Sequence, residues 1–280
     1  LLYDYQRNDI QTLYRDSRDR LWIPTNTNAG LVVMDNNRPV PSLNISSEFP
    51  QLSPISVITE INKGQFLLGT LQNGLVFINE TTNECRNLDG KAFGFSSKDK
   101  IHITAISKDP DGKIWVSTNG AGLFCFNNNL ELLKNYNRDN GLTNECIYNL
   151  INRREEIWLT TSREIFRLNK NNGQLDVAYS KSGLIPQEFT PSSSYCSSDG
   201  IFYLPASNGF LKFTPTQIHD NQEVPQVLLT TLSIGNQQEI PGKSRLLKNK
   251  LQLQKQIVLS HNQTNLTIQY TAPNYLYPEQ

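Results

Sequence analysis

The polar side chains that could bind a ligand recur in short loops between apolar runs. They supply amides, carboxylates, a guanidinium and an aromatic ring, which can hydrogen-bond to hydroxyl groups and pack against an apolar face. This combination suits a sugar. The main candidates are His102, Asn119, Asn144, Glu145, Arg163, Glu188, Phe189 and Asn208. A wider set of loop residues with similar chemistry comprises Asn8, Asp9, Asn26, Asn28 and Asn73.

Two of these candidates, His102 and Arg163, stand out because neither residue type is needed to form a turn. Arg163 could bind an anionic oligosaccharide through two parallel hydrogen bonds. The asparagines have a simpler explanation as well, since Asn tolerates the left-handed backbone region and forms turns.

Catalytic and metal-binding patterns are absent from the sequence. The histidines His102, His219 and His261 lie far apart, and no nucleophile elbow, zinc-protease or phosphate-loop motif occurs. Cys85, Cys125, Cys146 and Cys196 form no C-x-x-C pair, so we expect free thiols, with a disulfide in an oxidising compartment as the alternative. We predict no catalytic residue, no metal and no cofactor.

The element that must position the candidate loops is clearest in residues 103–127. Three apolar runs, Ile103–Ile106, Ile114–Val116 and Leu123–Phe126, are separated by an Asp-Gly turn at Asp111–Gly112 and by a small polar loop. An Asp-Gly pair between apolar runs is a strong hairpin indication. The segment therefore predicts a β-meander.

The same unit recurs along the chain. Its second-strand positions are Trp22, Leu67, Trp115, Trp158 and Tyr203, at intervals of 43 to 48 residues. A fixed period of about 40–50 residues with four short strands per repeat is typical of β-propeller blades. We predict blades at 10–45, 55–88, 101–136, 147–180 and 195–214, with the three tryptophans in the core. The fourth, outer strands of the first four blades are predicted at 39–43, 84–88, 132–136 and 176–179. In such blades the candidate loops, which join strand 2 to strand 3 and strand 4 to the next blade, share one face.

The pattern changes after residue 215. Residues 216–223 form a polar linker, and apolar runs at 224–234, 257–259 and 266–270 begin a different β region, with a turn at Asn236–Gln237. The predicted fold class is all-β: a partial β-propeller of about five four-stranded blades (1–215), the linker (216–223) and the start of an immunoglobulin-like β-sandwich (224–280). Further blades are expected on the N-terminal side, since an open arc exposes strand edges.

The net charge and the hydropathy of the chain limit the classes of partner that it is expected to bind. The 26 basic and 26 acidic residues balance, which argues against nucleic acid or an anionic membrane surface as the main partner. No apolar run approaches the roughly 18 residues that a membrane helix needs. Leu1–Tyr5 is typical of the middle of a domain rather than of a signal peptide, so we expect a fragment of a longer protein.

The blade pattern D-x-x-G-x-(L/I)-W-(V/I)-x-T-x-x-x-G-L, clearest at 109–123 and recognisable at 16–31, resembles the two-component regulator propeller repeat. Residues 183–189, 199–203, 207–210 and 213–215 are similar to the final blade of that family, and the segment from Val224 onward is similar to its Ig-like Y_Y_Y domain. Together these segments resemble the sensor region of hybrid two-component systems of Bacteroides. The resemblance extends over essentially the whole chain.

The resemblance implies a periplasmic, non-enzymatic sensor that binds carbohydrate fragments and regulates glycan-utilisation genes. It also implies a homodimer and a membrane helix and histidine kinase outside this chain. Two alternatives remain open: a propeller scaffold that binds protein partners, and a propeller lyase, since fold alone does not decide function.

Overall fold

A computed structural model describes residues 10, 12–24, 31–40, 54–178, 188–191, 193–217, 226–235, 237–244, 246–261, 263 and 265–272. These residues fall into two compact units, one up to residue 217 and one from residue 226 onward. The candidates Asn8, Asp9, Asn26 and Asn28 lie outside the described residues.

The first unit consists of five antiparallel sheets, here called blades 1 to 5, in which strands that follow each other along the chain are neighbours. Blade 1 contains β1 (Tyr14–Arg15), β2 (Leu21–Pro24), β3 (Leu31–Asp35) and β4 (Arg38–Pro39). Blade 2 contains β5 (Ile55–Asn62), β6 (Gln65–Thr70), β7 (Leu75–Asn79) and β8 (Glu84–Leu88). Blade 3 contains β9 (Ile103–Lys108), β10 (Ile114–Thr118), β11 (Leu123–Phe126) and β12 (Leu132–Tyr136). Blade 4 contains β13 (Asn149–Asn152), β14 (Glu156–Thr160), β15 (Ile165–Asn169) and β16 (Leu175–Val177). Blade 5 contains β17 (Tyr195–Cys196), β18 (Phe202–Ala206) and β19 (Gly209–Phe213).

The first hairpin of blade 3 shows why these residues form a tight turn. Gly112 has a φ of 86°, a conformation that an L side chain rarely adopts. The Asp109 carboxylate accepts a hydrogen bond from the backbone N–H of Lys113 at 2.9 Å and another from Trp115 Nε1 at 3.1 Å. One side chain therefore holds both the turn and the buried Trp115 of β10.

Apolar side chains fill the space between successive blades. One cluster joins blades 1 and 2, a second joins blades 2 and 3, a third joins blades 3 and 4, and a fourth joins blades 4 and 5. Trp22, Trp115 and Trp158 are 0%, 3% and 2% exposed, which confirms the prediction that they lie in the core. Tyr203, the equivalent residue of blade 5, is only half-buried.

The first strands of neighbouring blades are joined by side chains rather than by a backbone ladder. The Ser56 hydroxyl donates to the Ile103 carbonyl at 2.6 Å, and the Thr59 hydroxyl donates to the Ile106 carbonyl at 3.2 Å. Between blades 3 and 4, Asn152 Nδ2 donates to the Ser107 hydroxyl at 3.1 Å. We call these contacts the inner seams.

The predicted strands agree closely with the structure. The predicted outer strands of blades 2 and 3, 84–88 and 132–136, match β8 and β12, whereas the outer strand predicted at 176–179 is Leu175–Val177. The outer strand of blade 1, predicted at 39–43, is Arg38–Pro39, with residues 41–43 outside the described part. All four cysteines are free thiols, and burial raises the pKa of the Cys125 thiol to about 11.

The second unit contains one antiparallel sheet in its described part, ordered β21-β20-β22. Its strands are β20 (Leu228–Ile234), β21 (Gln237–Gln238) and β22 (Leu266–Thr271). The strand predicted at 257–259 is wrong: Ile257 packs beside the buried Leu232, Leu247 and Leu251, but the segment pairs with no strand. A short apolar run does not specify a strand, because periodicity cannot be judged over three residues. The Ig-like sandwich stays a prediction.

Candidate functional site

The loops between second and third strands contact the connectors that flank their own blade. Asn119 N donates to the His102 carbonyl at 2.9 Å, and Gly120 N and Gly122 N both donate to the Glu145 carbonyl at 3.1 Å. In blade 5, Ser207 N donates to the Glu188 carbonyl at 2.8 Å. The loop residues chosen from the sequence are therefore brought together largely through backbone hydrogen bonds.

The first group of candidates lies around the loop after β10 and in the two connectors that flank blade 3. His102 is half-buried, and burial lowers the pKa of its imidazole. Asn144 has a turn-forming role, because its Oδ1 accepts from Cys146 N at 2.9 Å. Glu145 Oε1 accepts from Arg138 N at 3.1 Å, while the Asn119 side chain is exposed.

The second group lies where blades 4 and 5 meet. Arg163 Nη2 forms an ion pair with Glu188 Oε1 at 3.1 Å, and both side chains are mostly exposed. Phe189 is 5% exposed and packs in the cluster between blades 4 and 5, so its ring presents no face to a ligand in this structure. Asn208 is exposed at the tip of the loop between β18 and β19.

A pocket of about 270 Å³ opens beside the first group and is here called the blade 3 pocket. It is formed by the connector from blade 2, the loop after β10, the end of β12 and the connector to blade 4. Its lining residues are Phe95, Asp99, Ile101, Gly120, Ala121, Asn135, Asn137 and Glu145.

The connector from blade 2 positions the aromatic side of the pocket. Asp89 caps a 3-10 turn at Gly90–Phe93, and Gly94 then adopts a φ of 82°, which reverses the chain before Phe95. Phe95 is 40% exposed, and its ring meets that of the buried Phe124 edge to face, with the centroids 6.1 Å apart. A ring held from beneath with part of its surface open can pack against an apolar face of a ligand.

A second 3-10 turn positions the polar side of the pocket. Asn137 caps the turn at Arg138–Asn140, and Gly141 ends it with a φ of 108°. Asn140 Nδ2 donates to the Asn135 carbonyl at 2.9 Å, which holds the end of β12 against the turn. Among the described residues, the 3-10 turn Pro215–Gln217 does not line this pocket, and the turn Leu251–Leu253 belongs to the second unit.

The pocket is rich in hydrogen-bond acceptors. Asp99 Oδ2 accepts from Ser96 N at 2.8 Å, and Glu145 contributes a second carboxylate. Asn135 Oδ1 is buried and has no hydrogen-bond partner among the described residues. The two carboxylates favour a ligand that supplies hydrogen-bond donors.

Of the pocket residues, only Glu145 was chosen from the sequence. Phe95, Asp99, Asn135 and Asn137 were missed because they come from a connector and an outer strand, which converge only through tertiary packing. The one indication in the sequence is the pair Phe93 and Phe95 in a mostly polar connector. Phe93 is buried in the core, whereas Phe95 is partly exposed.

The described part of the chain contains neither a candidate metal site nor a candidate membrane-spanning helix. No group of three His, Cys, Asp or Glu side chains there could hold a metal ion. The helices described are single 3-10 turns, and none is long and apolar enough to cross a membrane.

The fold and the repeat define a class of protein. Residues 97–120 match the family model described as a two component regulator propeller, and this match covers β9 and β10 and the start of the loop after β10. The resemblance of the blades to this repeat, predicted from the sequence, is thereby confirmed.

Individual relatives agree with this class. The chain is 24% identical over 276 residues to "Histidine kinase P4" of Formosa agariphila, covering 98% of this chain and 17% of that protein. The fold matches the extracellular domain of the hybrid two component system BT3049 from B. thetaiotaomicron, with a TM-score of 0.72, 22% identity, and coverage of 97% of this chain and 36% of that one. The extracellular domain of the hybrid two component system BT4673 from the same organism matches with a TM-score of 0.56, 19% identity, and coverage of 93% and 35%. The chain therefore has the fold of such extracellular domains and spans only a part of each relative's length.

Proposed function

We propose that this chain is part of the periplasmic sensing region of a hybrid two-component histidine kinase. In this proposal it binds carbohydrate fragments without transforming them, and binding controls the expression of glycan-utilisation genes. The proposal is supported by the fold shared with extracellular domains of hybrid two component systems and by a relative named as a histidine kinase. Kinase, membrane helix and a homodimeric assembly belong to the proposal for the whole protein.

The observation that supports a carbohydrate ligand is the blade 3 pocket. A partly exposed ring, Phe95, borders a cavity whose polar groups are amides and carboxylates, as a sugar with one apolar face and several hydroxyl groups requires. The pocket is too open to bury a large ligand, which fits the recognition of a terminal or short oligosaccharide segment.

Titration calorimetry of the chain with a panel of short oligosaccharides tests the proposal. We expect heat of binding with at least one oligosaccharide and unchanged oligosaccharide after incubation, as judged by chromatography. Cleavage would favour a lyase or hydrolase instead. No heat with any oligosaccharide, together with a stable complex with a protein partner, would favour a scaffold.

A pair of variants locates the site. Ala121→Trp places a large ring in the blade 3 pocket and should abolish binding, whereas Asn129→Trp, in the exposed loop at the other end of β11, should leave binding unchanged. Thermal unfolding of both variants shows whether the fold is retained. Phe95→Ala removes the ring at the pocket rim without filling the pocket, and it should also weaken binding.

A further inference from the structure

We infer that the blade 3 pocket takes an uncharged sugar and rejects uronic acids and sulfated sugars. The inference rests on the proposed carbohydrate-binding function of this pocket and specifies the charge of its ligand. The sequence left the charge of the ligand open, with Arg163 as the side chain that could bind an anionic oligosaccharide.

The lining residues carry two carboxylates and no cation. Asp99 and Glu145 both border the cavity, and none of the eight lining residues is Lys, Arg or His. The side chains of Lys98, Lys100 and Arg138, which lie nearby along the chain, are exposed and do not line the cavity. A ligand carboxylate or sulfate would therefore meet two like charges without a compensating partner.

The hydrogen-bonding capacity of the pocket points the same way. Asp99 Oδ2 and Glu145 Oε1 each accept one backbone N–H, from Ser96 and Arg138, which leaves the second oxygen of each carboxylate for a ligand. Asn135 Oδ1 is a further acceptor without a partner among the described residues. Sugar hydroxyl groups can donate to the remaining oxygens of the two carboxylates, whereas a carboxylate or a sulfate can only accept.

The guanidinium of Arg163, the side chain that the sequence made the best anion ligand, is already engaged. It forms an ion pair with Glu188 at 3.1 Å and does not line the pocket. Arg163 therefore supplies no positive charge inside the blade 3 pocket. The side chain best suited to an anion and the pocket best suited to a sugar are thus at different places, which supports a neutral ligand for the pocket.

Sugar pairs that differ in a single group test the inference. We would titrate the chain with neutral gluco-, galacto- and manno-oligosaccharides and with their glucuronate, galacturonate and mannuronate counterparts, in which a carboxylate replaces the hydroxymethyl group at C6. The uronate of any pair that binds should bind at least about tenfold more weakly, because like-charge contacts cost several kcal/mol and about 1.4 kcal/mol corresponds to tenfold. High salt should reduce the difference in affinity between a uronate and its neutral counterpart, because it screens the repulsion.

Isosteric neutral variants provide the matched control. In the double variant Asp99→Asn, Glu145→Gln the discrimination against uronates should shrink to within a few fold, since both amide oxygens can still accept the Ser96 and Arg138 N–H groups. Glu131→Gln removes an exposed negative charge at the other end of the blade, where the Glu131 carboxylate accepts a hydrogen bond from Asn127 Nδ2. This variant should leave the discrimination against uronates unchanged.

The outcomes separate this inference from the proposed function. A uronate that binds as tightly as its neutral counterpart, and loses binding in Ala121→Trp, overturns the charge preference but leaves carbohydrate binding intact. Equal discrimination in the parent and the double variant overturns it as well. If no sugar of either kind binds, the proposed function itself fails.

Discussion

At the scale of single residues, a buried carboxylate connects a turn to the core in two blades. Asp16 and Asp109 each accept from the backbone N–H four residues later and from the indole of a tryptophan six residues later, Trp22 at 2.8 Å and Trp115 at 3.1 Å. Each carboxylate also forms an ion pair. Asp16 Oδ2 pairs with Arg20 Nη2 at 2.7 Å, and Asp109 Oδ2 pairs with Lys170 Nζ at 3.5 Å. The repeat motif thus encodes a charge that is paired and hydrogen-bonded inside the fold.

Removal of the Asp109 carboxylate should be strongly destabilising. Asp109→Ala leaves Lys170, which is 6% exposed in its side chain and 3.5 Å from the carboxylate, as a buried unpaired cation, and leaves the Trp115 N–H without its acceptor. We expect a loss of about 3–5 kcal/mol in the free energy of unfolding, measured by urea denaturation. Asp111→Ala, at an exposed position of the same turn, is the control and should cost less than about 0.5 kcal/mol.

The pH dependence of stability should contain a contribution from Asp16. Burial acts to raise its pKa, but hydrogen bonds from the Trp22 indole and from Arg20 outweigh burial, so that its pKa lies below the ordinary value of 3.8. A carboxyl group with a lowered pKa stabilises the fold above its unfolded-state pKa, and this stabilisation is lost as the pH falls through the folded-state pKa.

Asp16→Asn should therefore be less stable than the parent protein at pH 7, and the difference should narrow as the pH falls below about 4. Denaturant unfolding at a series of pH values measures this. A constant difference between parent and variant across the whole range would contradict the assigned role of the charge.

At the scale of elements, the loop after the second strand of blade 3 depends on two glycines for different reasons. Gly120 and Gly122 have φ values of 109° and 84°. A Cβ on Gly122 would lie 2.1 Å from the Tyr136 carbonyl oxygen, whereas a Cβ on Gly120 would meet nothing within 4 Å. Gly122 therefore lets β11 and the end of β12 approach, and Gly120 leaves the pocket open.

This difference predicts unequal effects of two matched substitutions. Both Gly120→Ala and Gly122→Ala introduce backbone strain, but only the second forces a backbone clash. Gly122→Ala should cost about 1–3 kcal/mol more in the free energy of unfolding than Gly120→Ala, by chemical denaturation. Equal costs would mean that the close contact with Tyr136 is readily relieved.

The elements themselves were largely predictable from the sequence, because each repeat combines a local turn signature with apolar runs. The order of the strands, the five blades and the buried tryptophans follow from that periodicity. The blade 3 pocket does not, since Asp99 and Glu145 belong to different connectors and meet only when neighbouring blades pack. Phe189 was predicted to contact a ligand but is buried in the core. An aromatic residue in a connector suits either role, and the sequence does not distinguish them.

At the scale of the whole molecule, the core of the first unit is divided among its blade junctions. Each of the four apolar clusters draws on two neighbouring blades, so no described blade buries its apolar side chains alone. The blade 3 pocket uses residues from both connectors that flank blade 3. A ligand there would contact blade 3 and both of its flanking connectors, and should stabilise their packing.

Hydrogen exchange should report this local stabilisation. With a saturating neutral oligosaccharide, exchange should slow in residues 95–101 and 137–146 and stay unchanged in the turn at 109–113, which lies at the other end of blade 3. At a ligand concentration of about 100 times Kd, stability should rise by about 2.7 kcal/mol. Mass spectrometry of peptic peptides provides the measurement, and uniform slowing along the chain would contradict a site at this pocket.

The inner seams have a consequence for how such a molecule can change over evolution. The hydroxyl-to-carbonyl contacts of Ser56 and Thr59 join positions 47 residues apart, and the contact of Asn152 with Ser107 joins positions 45 residues apart. Because neighbours are joined at nearly the same offset, duplication or deletion of one whole repeat recreates a junction of the same kind. An insertion or loss of half a repeat would instead leave mismatched partners on both sides, so the genetic unit of change in this architecture is the complete blade.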